Sequence, residues 1–267
     1  MDIDAISSEL IDALDRAAQL PPLTASIAGF DLAAAYAVGA ELRRRRYARG
    51  ERPIGRKLGF TNRALWDVLG VDAPFWAAVY DTTVTFLGTS SGGVDIDHLA
   101  QPRLEPEIVL HFGTSPPAVA GEAELLAHVD WIALGYEIVQ CHFPGWSIQT
   151  ADAVADFGLH GALVVGPPVH VATLSDPIAA LRAFTITLSR EGVEEARGGG
   201  ANVLGSPLRA LADVLATTRD QPGWVPLSAG EIVTTGTLTA LHTVRGRETW
   251  SVEAAGINLA RLDLRIN

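Results

Sequence analysis

The stretch RLEPEIVL (residues 103–110) carries two glutamates, two positions apart, inside an otherwise apolar run. Such a run predicts a buried strand, and side chains alternate faces along a strand, so Glu105 and Glu107 project from the same face. Pro106 between them donates no ladder hydrogen bond, which places it at an edge, a bulge or a strand start. Two buried carboxylates repel each other and lose their hydration. The sequence leaves three ways to offset that cost: solvent exposure, arginine partners or a metal ion.

A third glutamate, Glu137, lies in a second apolar stretch, YEIV at residues 136–139. Three carboxylates held on strands form a suitable set of oxygen ligands for Mg²⁺ or Mn²⁺, with positions left for water or substrate. Zinc is disfavoured because these segments place no cysteine or histidine among the three acids. The second strand adds weight to a hard divalent cation, but the pattern alone leaves solvent exposure and arginine partners open as well.

The composition excludes several classes of protein. The chain has 267 residues, a formal net charge of −11 and a sequence pI of about 5.0, so a nucleic-acid-binding surface is not expected, because phosphates would be repelled. A single cysteine, Cys141, excludes an internal disulfide framework and fits a reducing cytoplasm. The N-terminus does not read as a secretory signal, and no apolar run reaches the roughly 18 residues of a membrane span. We therefore expect a cytoplasmic protein without a membrane or nucleic-acid partner.

The hydrophobic spacing predicts an α+β protein. Apolar residues at helical spacing, with caps at Asp31 and Ser206, predict helices at residues 4–18, 31–47, 61–70 and 207–217. Short apolar segments bounded by glycine or proline predict strands at residues 55–60, 77–87, 103–112, 131–139, 162–166, 183–190, 231–239 and 257–266. We expect a helical N-terminal region over residues 1–75, followed by a β-rich domain over residues 76–267.

Seven segments occur in the order found in one known family. They are GRKLGFTN (55–62), VYDTTV (79–84), LEPEIVL (104–110), GYEIVQCHFPGW (135–146), ADAVADFGLHGALVVGPP (151–168), GANVLGSPLRALADV (200–214) and LSAGEIVTTGTLTA (227–240). Together they resemble the 2-keto-4-pentenoate hydratase and 4-oxalocrotonate decarboxylase branch of the fumarylacetoacetate hydrolase superfamily. The resemblance implies a mixed β-roll or distorted sandwich of the fumarylacetoacetate hydrolase C-terminal type, in which the N-terminal helices cover one side of the site.

The resemblance also implies a chemistry. Glu105, Glu107 and Glu137 match the family's metal ligands, usually for Mg²⁺, with Mn²⁺ as the alternative. Family substrates are short 2-oxo or 2-hydroxydienoic acids from the meta-cleavage of aromatic rings. A 2-oxo acid chelates a cation that stabilises the enolate as a Lewis acid. The expected activity is addition of water to a 2-hydroxy-2,4-dienoate, giving a 4-hydroxy-2-oxo acid.

Two further residues match proton-transfer positions of the family. Lys57 is the only lysine in a sequence whose other basic residues are arginines and histidines, so this position is suited to a group that can lose a proton. Asp81 follows the apolar stretch AAVY and matches the family's acid/base aspartate. We expect both residues to be catalytic.

Other candidates line the expected substrate site. The family often has small polar residues where this chain has His160, which is therefore a candidate catalytic or substrate-contacting group. Asp156 is expected to orient its loop or to hydrogen-bond a metal-bound water. Thr235 and Thr237 match a strand edge that closes the site in the family. Leu104 is a further substrate-binding candidate, although strand alternation by itself assigns it to packing.

The sequence leaves three alternatives to the hydratase open. A 4-oxalocrotonate-type decarboxylase would use the same enolate and needs a cation for a second carboxylate, with Arg56, Arg63 and Arg103 close to the site motifs. An acylpyruvate-type C–C hydrolase needs a Glu–His pair that activates water. The third is a non-catalytic partner of a pathway enzyme, against which Lys57 and Asp81 argue. The family also implies a homo-oligomer, with a pathway aldolase or decarboxylase as a further partner.

Overall fold

The computed structural model describes residues 1–66, 71 and 73–267. The α-helices are α1 (Ile3–Arg16), α2 (Leu23–Ser26), α3 (Leu32–Ala48), α4 (Glu122–Leu126), α5 (Thr150–Ala155), α6 (Pro177–Ala183) and α7 (Pro207–Thr218). The strands are β1 (Pro53–Gly59), β2 (Phe75–Tyr80), β3 (Val84–Phe86), β4 (Ser91–Val94), β5 (Arg103–Phe112), β6 (Val129–Val139), β7 (His160–Val165), β8 (Val169–His170), β9 (Thr185–Arg190), β10 (Val193–Gly199), β11 (Ile232–Thr234), β12 (His242–Thr243), β13 (Thr249–Ala255) and β14 (Leu262–Ile266).

The long helices begin at the residues that their caps predicted. The Asp31 carboxylate accepts a hydrogen bond of 2.8 Å from the amide of Ala34 at the start of α3. Ser206 caps α7 in the same way, and both contacts satisfy backbone donors that lack an intrahelical partner. The predicted helix at 61–70 is represented by a short 3₁₀ turn, Arg63–Leu65, which is capped by Asn62 rather than Thr61. Residues 67–70 of that prediction lie outside the described residues.

The described strands form two sheets, and the larger one carries the acidic strand. Its order is β2-β1-β11-β5-β6-β7-β3, with β12 added to β5 and β8 to β6. The five-stranded sheet has the order β10-β9-β13-β14-β4. Because β1 lies between β2 and β11, the large sheet extends across the predicted boundary at residue 75. The helical N-terminal part therefore ends before Pro53, and Lys57 belongs to the sheet.

The two end strands of the large sheet, β2 and β3, are joined by a turn at residues 81–83. A three-residue connection forces the ends of the sheet close together, so the sheet curves into a half-barrel. The single strand predicted at 77–87 is wrong for this reason. The amide of Thr83 bonds to the carbonyl of Tyr80, and its own carbonyl accepts from Leu163 on β7. The chain thus crosses from one end of the sheet to the other within this turn.

A second correction concerns the strand predicted at 231–239, because β11 covers only Ile232–Thr234. Gly236 has a φ of 98°, a left-handed conformation that a side chain would strain. From there the backbone leaves the strand path while staying next to β5, since the amide of Leu238 bonds to the carbonyl of Pro106. This turn brings the Gly236 amide inside the half-barrel.

The N-terminal helices pack against one side of the half-barrel. The Tyr36 hydroxyl of α3 accepts a hydrogen bond from the amide of Trp76 on β2. Thr24 of α2 bonds through its amide and its hydroxyl to the buried carboxylate of Asp152 on α5. The expected α+β fold, with helices outside the sheets, is confirmed. Within the described residues, no helix has the length and apolar character required to cross a membrane.

Candidate metal centre and its pocket

Three buried carboxylates meet inside the half-barrel. Glu105 and Glu107 project from the same face of β5, as strand alternation predicted, and Glu137 of β6 stands directly opposite Glu105. One oxygen from each carboxylate lies within 4.8 Å of the other two. Their exposed fractions are 8%, 0% and 0%. Like charges that face each other across two strands destabilise a sheet, so this arrangement needs a compensating charge.

Two buried oxygens of this cluster are incompletely satisfied among the described residues. Glu107 Oε1 has no hydrogen-bond partner there, and Glu137 Oε2 has only its ion pair with Lys57. The other oxygen of Glu107 accepts a hydrogen bond of 2.7 Å from the Gly236 amide. Buried acceptors without partners are costly, and oxygen-only donor sets are what Mg²⁺ and Mn²⁺ prefer. The cluster therefore fits a divalent cation held by all three carboxylates.

Lys57 is the one arginine or lysine of the described residues that forms an ion pair with the cluster. Its Nζ atom lies 3.2 Å from Glu137 Oε2, and the side chain is buried. Burial alone would lower the pKa of Lys57, but the negative charges of Glu137, Glu105 and Glu107 outweigh it and raise the pKa. A single ammonium cannot neutralise three ionised carboxylates, so the fully ionised cluster needs a further cation.

The three carboxylates differ in the direction in which their pKa values are shifted. Burial raises the pKa of Glu105 to about 7, although Lys57 opposes the shift. Burial and the two neighbouring carboxylates raise the pKa of Glu107 well above its usual value. Burial acts on Glu137 in the same direction, but Lys57 and His160 outweigh it and lower its pKa. The ion pair and the hydrogen bond thus keep Glu137 charged.

His160 begins β7 next to the cluster, and protein atoms contact both of its ring nitrogens. Nδ1 lies 2.8 Å from Glu137 Oε1, and Nε2 lies 2.9 Å from the Thr83 hydroxyl. The residue is 2% exposed. Burial lowers the pKa of His160, although the bond to Glu137 opposes the shift.

A pocket adjoins Lys57 and Glu105, the only charged side chains among its described lining residues. Polar lining comes from Thr61, Asn62 and Thr237. The remaining side chains of the wall are apolar: Leu58, Phe60, Leu65, Trp66, Phe75, Val139, Trp146, Ile148, Leu159 and Leu241. The pocket therefore has one charged end and otherwise apolar walls.

Comparison with known proteins identifies the family. Residues 68–265 match the family described as fumarylacetoacetate (FAA) hydrolase C-terminal. The chain belongs to this family. It is 30% identical over 266 residues to a 2-keto-4-pentenoate hydratase of Paraburkholderia xenovorans (strain LB400), which covers 98% of this chain and 94% of that protein.

This FAA hydrolase family member has further relatives of the same kind. It is 33% identical over 242 residues to a 2-hydroxyhexa-2,4-dienoate hydratase of Comamonas testosteroni, covering 90% of this chain and 88% of that one. Its fold matches that of a 4-oxalocrotonate decarboxylase from Pseudomonas putida G7, solved with magnesium and adipate. The TM-score is 0.89 at 23% identity, and the match covers 99% of this chain and 97% of the other. The resemblance inferred from the sequence is confirmed.

Asp81 does not reach the cluster. It is exposed in the turn after β2, where its carboxylate accepts a hydrogen bond of 2.9 Å from the Arg52 amide. The β1–β2 register pairs Tyr80, the residue before it, with Pro53, whereas Lys57 pairs with Ala77. The predicted catalytic role of Asp81 is corrected to a turn contact, because the strand ends one residue before it.

Leu104 and Thr235 are also directed away from the pocket. Leu104 is fully buried on the face of β5 opposite to Glu105, as alternation requires. The Thr235 hydroxyl donates a hydrogen bond to the carbonyl of Ile108 and lies outside the described pocket lining. Of the predicted substrate contacts, only Thr237 lines the pocket.

Asp156 takes the first of its two expected roles, because it holds its own loop through His142. Both of its carboxylate oxygens are used by His142, one by the amide at 2.9 Å and the other by ring Nδ1 at 2.5 Å. It therefore anchors its own loop. Sequence reasoning missed Thr83 and Asn62, although both lie inside segments that matched the family.

The charge repulsion in the cluster predicts the behaviour of Glu107→Gln. The amide keeps an acceptor for Gly236 and cannot ionise, so the metal-free variant unfolds at a temperature no lower than wild type. Mg²⁺ or Mn²⁺ raises the melting temperature of the wild type, because the ion binds the folded state, and this rise is largely lost in the variant. Differential scanning fluorimetry with metal or EDTA measures both effects.

The exposed residue Glu124, on α4, provides the matched control. Glu124→Gln should keep the full metal-induced rise in melting temperature. An unchanged rise in Glu107→Gln would contradict the assignment of the cluster as a metal centre.

Proposed function

We propose that this protein is a divalent-metal-dependent hydratase that adds water to a 2-hydroxy-2,4-dienoate and forms a 4-hydroxy-2-oxo acid, in aromatic meta-cleavage catabolism. The observation that carries the proposal is a buried tricarboxylate cluster that opens, through Lys57 and Glu105, into an otherwise apolar pocket. The dienoate hydratases named among its relatives support the same reaction. We propose Mg²⁺ as the ion, with Mn²⁺ as the alternative.

The polar end of the substrate, which carries the 2-oxygen, binds at the carboxylate cluster. A divalent ion held by Glu105, Glu107 and Glu137 would supply Lewis-acid stabilisation of the charge that develops on the substrate's 2-oxygen. Glu107 is held in place by the Gly236 amide, and Glu137 by His160 and Lys57. The protein therefore fixes two of these three carboxylates before any ligand arrives, which avoids reorganisation during the reaction.

Lys57 is the proton-carrying side chain at the junction of cluster and pocket. Hydration requires that the 2-hydroxyl group loses its proton, that a carbon further along the chain gains one, and that water then adds to the conjugated double bond. Lys57 reaches both the carboxylates and the pocket, so it can bind the substrate's carboxylate and move a proton at its Nζ atom. The apolar walls around it exclude bulk water from the reactive enol.

The pocket favours the hydratase over the 4-oxalocrotonate-type decarboxylase. A decarboxylase of that type must hold a second carboxylate, and no arginine is among the described lining residues. Arg56 is paired with Glu231 at 2.9 Å, and Arg103 stacks on the Trp146 ring at 4.3 Å. Residues 67–70 and 72 are DVLG and Asp, so they contain no basic side chain either.

The other two alternatives gain less support. An acylpyruvate-type C–C hydrolase needs a histidine free to activate water, yet His160 contacts protein atoms through both ring nitrogens and lies outside the described pocket lining. A non-catalytic partner protein has no need for a buried lysine between a carboxylate cluster and a cavity. The homo-oligomer that the family implies is retained as part of the proposal.

The proposed reaction predicts a specific assay result. With Mg²⁺ present, the purified protein should remove the ultraviolet absorbance of a 2-hydroxy-2,4-dienoate and give a product heavier by one water. EDTA should stop the reaction, and added Mg²⁺ should restore it. Release of CO₂ from 4-oxalocrotonate without water addition to the dienoate would instead establish the decarboxylase, and turnover unaffected by EDTA would contradict both.

Lys57 variants separate charge from proton transfer. Lys57→Met should lower kcat by roughly 10²–10⁴-fold, the usual contribution of a general acid or base. Lys57→Arg keeps the positive charge but cannot release a proton at neutral pH, so it should improve KM relative to the methionine variant without restoring kcat. Full kcat in the arginine variant would limit Lys57 to a binding role.

A further inference from the structure

We infer that His160 is a positioning residue that orients the Glu137 carboxylate, so that Oε1 is held by the ring and Oε2 faces Lys57 and would be available to a divalent cation. This inference rests on the proposed metal-dependent function. Its basis is the chain of contacts that runs from Thr83 through His160 to Glu137, with distances of 2.9 Å and 2.8 Å. Glu137 Oε2, by contrast, has no hydrogen-bond partner in the described part of the chain beyond its ion pair with Lys57 Nζ, at 3.2 Å.

The contacts define which nitrogen carries the proton. A carboxylate only accepts, so Nδ1–H donates to Glu137, and a neutral ring then leaves Nε2 as an acceptor. The Thr83 hydroxyl lies 2.9 Å from Nε2 and 3.1 Å from the carbonyl of Tyr80, and the shorter contact favours donation to His160. With both nitrogens used in this way, the ring acts on Glu137 rather than on the substrate.

Thr83 is a fixed anchor for this chain of contacts. It lies in the turn that joins the two ends of the half-barrel, and its carbonyl accepts a hydrogen bond of 2.8 Å from the Leu163 amide on β7. The Tyr80 amide also donates to the Thr83 hydroxyl. The orientation of Glu137 is therefore tied to the closure of the half-barrel.

The backbone before His160 is strained, which indicates that the position of this residue is enforced by its surroundings. Phe157, Gly158 and Leu159 have φ angles of 51°, 63° and 62°, three consecutive left-handed residues. Asp156 secures the turn, since its carbonyl accepts from the Leu159 amide and its carboxylate binds His142.

The same turn packs against the lysine. A Cβ atom at Gly158 would lie 2.3 Å from the Cβ atom of Ala77 and 3.4 Å from Lys57 Cδ, so only glycine fits. The segment that positions His160 next to Glu137 therefore also packs against Lys57. One segment thus positions two of the groups that contact Glu137.

Two substitutions of similar size separate the roles of the two ring nitrogens. In His160→Asn the amide nitrogen takes the place of Nδ1 and keeps a donor for Glu137, whereas in His160→Gln the amide reaches towards Thr83 and leaves Glu137 without its donor. Titration calorimetry with Mn²⁺ should show affinity weakened by about 10–100-fold in His160→Gln, the usual effect of losing such a partner. His160→Asn should retain most of the wild-type affinity.

Thr83→Val and His170→Asn complete the series. Thr83→Val removes the anchor and should weaken Mn²⁺ binding in the same direction, and it decides the question if His160→Gln does not fold. His170, exposed and in contact with Asp130, is the control whose substitution should leave the affinity unchanged. Wild-type affinity in a folded His160→Gln overturns the inference. If His160→Gln does not fold, wild-type affinity in Thr83→Val overturns it instead. Absence of Mn²⁺ binding by the wild type would instead overturn the proposed function.

Discussion

The repulsion among three buried carboxylates is the interaction on which the rest of this structure depends. Glu105, Glu107 and Glu137 share a space in which one oxygen from each lies within 4.8 Å of the others, and Lys57 is the one arginine or lysine in the described chain that forms an ion pair with them. Burying an ion without full compensation costs several kcal/mol. A site with this deficit is stable only with protons on some carboxylates or with a cation among them.

The fold determines how these incompletely compensated carboxylates are placed. The register of β5 and β6 sets Glu105 against Glu137, and the residue opposite Glu107 is Gly135, where a Cβ atom would lie 2.8 Å from a methyl group of Val109. The turn at Gly236 leaves the strand path and gives Glu107 a backbone donor. Irregular backbone therefore occurs where it holds a ligand in place, which is the usual location of such strain.

The carboxylates and Lys57 were predictable from the sequence because they depend on local rules. Strand alternation places Glu105 and Glu107 together wherever the strand lies, and a lone lysine among arginines is visible without a structure. Asp81 and Thr235 were not predictable, because their positions depend on where β2 and β11 end. The position of Leu104, by contrast, was predictable, and the substrate-binding assignment was wrong. The strand alternation that puts Glu105 and Glu107 on one face of the strand puts Leu104 on the other.

The contacts of His160 and Asp156 lay beyond sequence reasoning for another reason. Both depend on three consecutive left-handed residues, two of which are not glycine, and composition gives no signal for such a turn. The same turn places Leu159 in the wall of the pocket. Sequence therefore predicted the chemistry of the site, while tertiary structure determined which groups support it.

A crystal structure with Mn²⁺, read through anomalous scattering, tests the central claim most directly. The account predicts one peak bonded to oxygens of Glu105, Glu107 and Glu137 at about 2.0–2.3 Å, in the range for hard cations. Mn²⁺ bound elsewhere, or no peak at the cluster at saturating Mn²⁺, would contradict it.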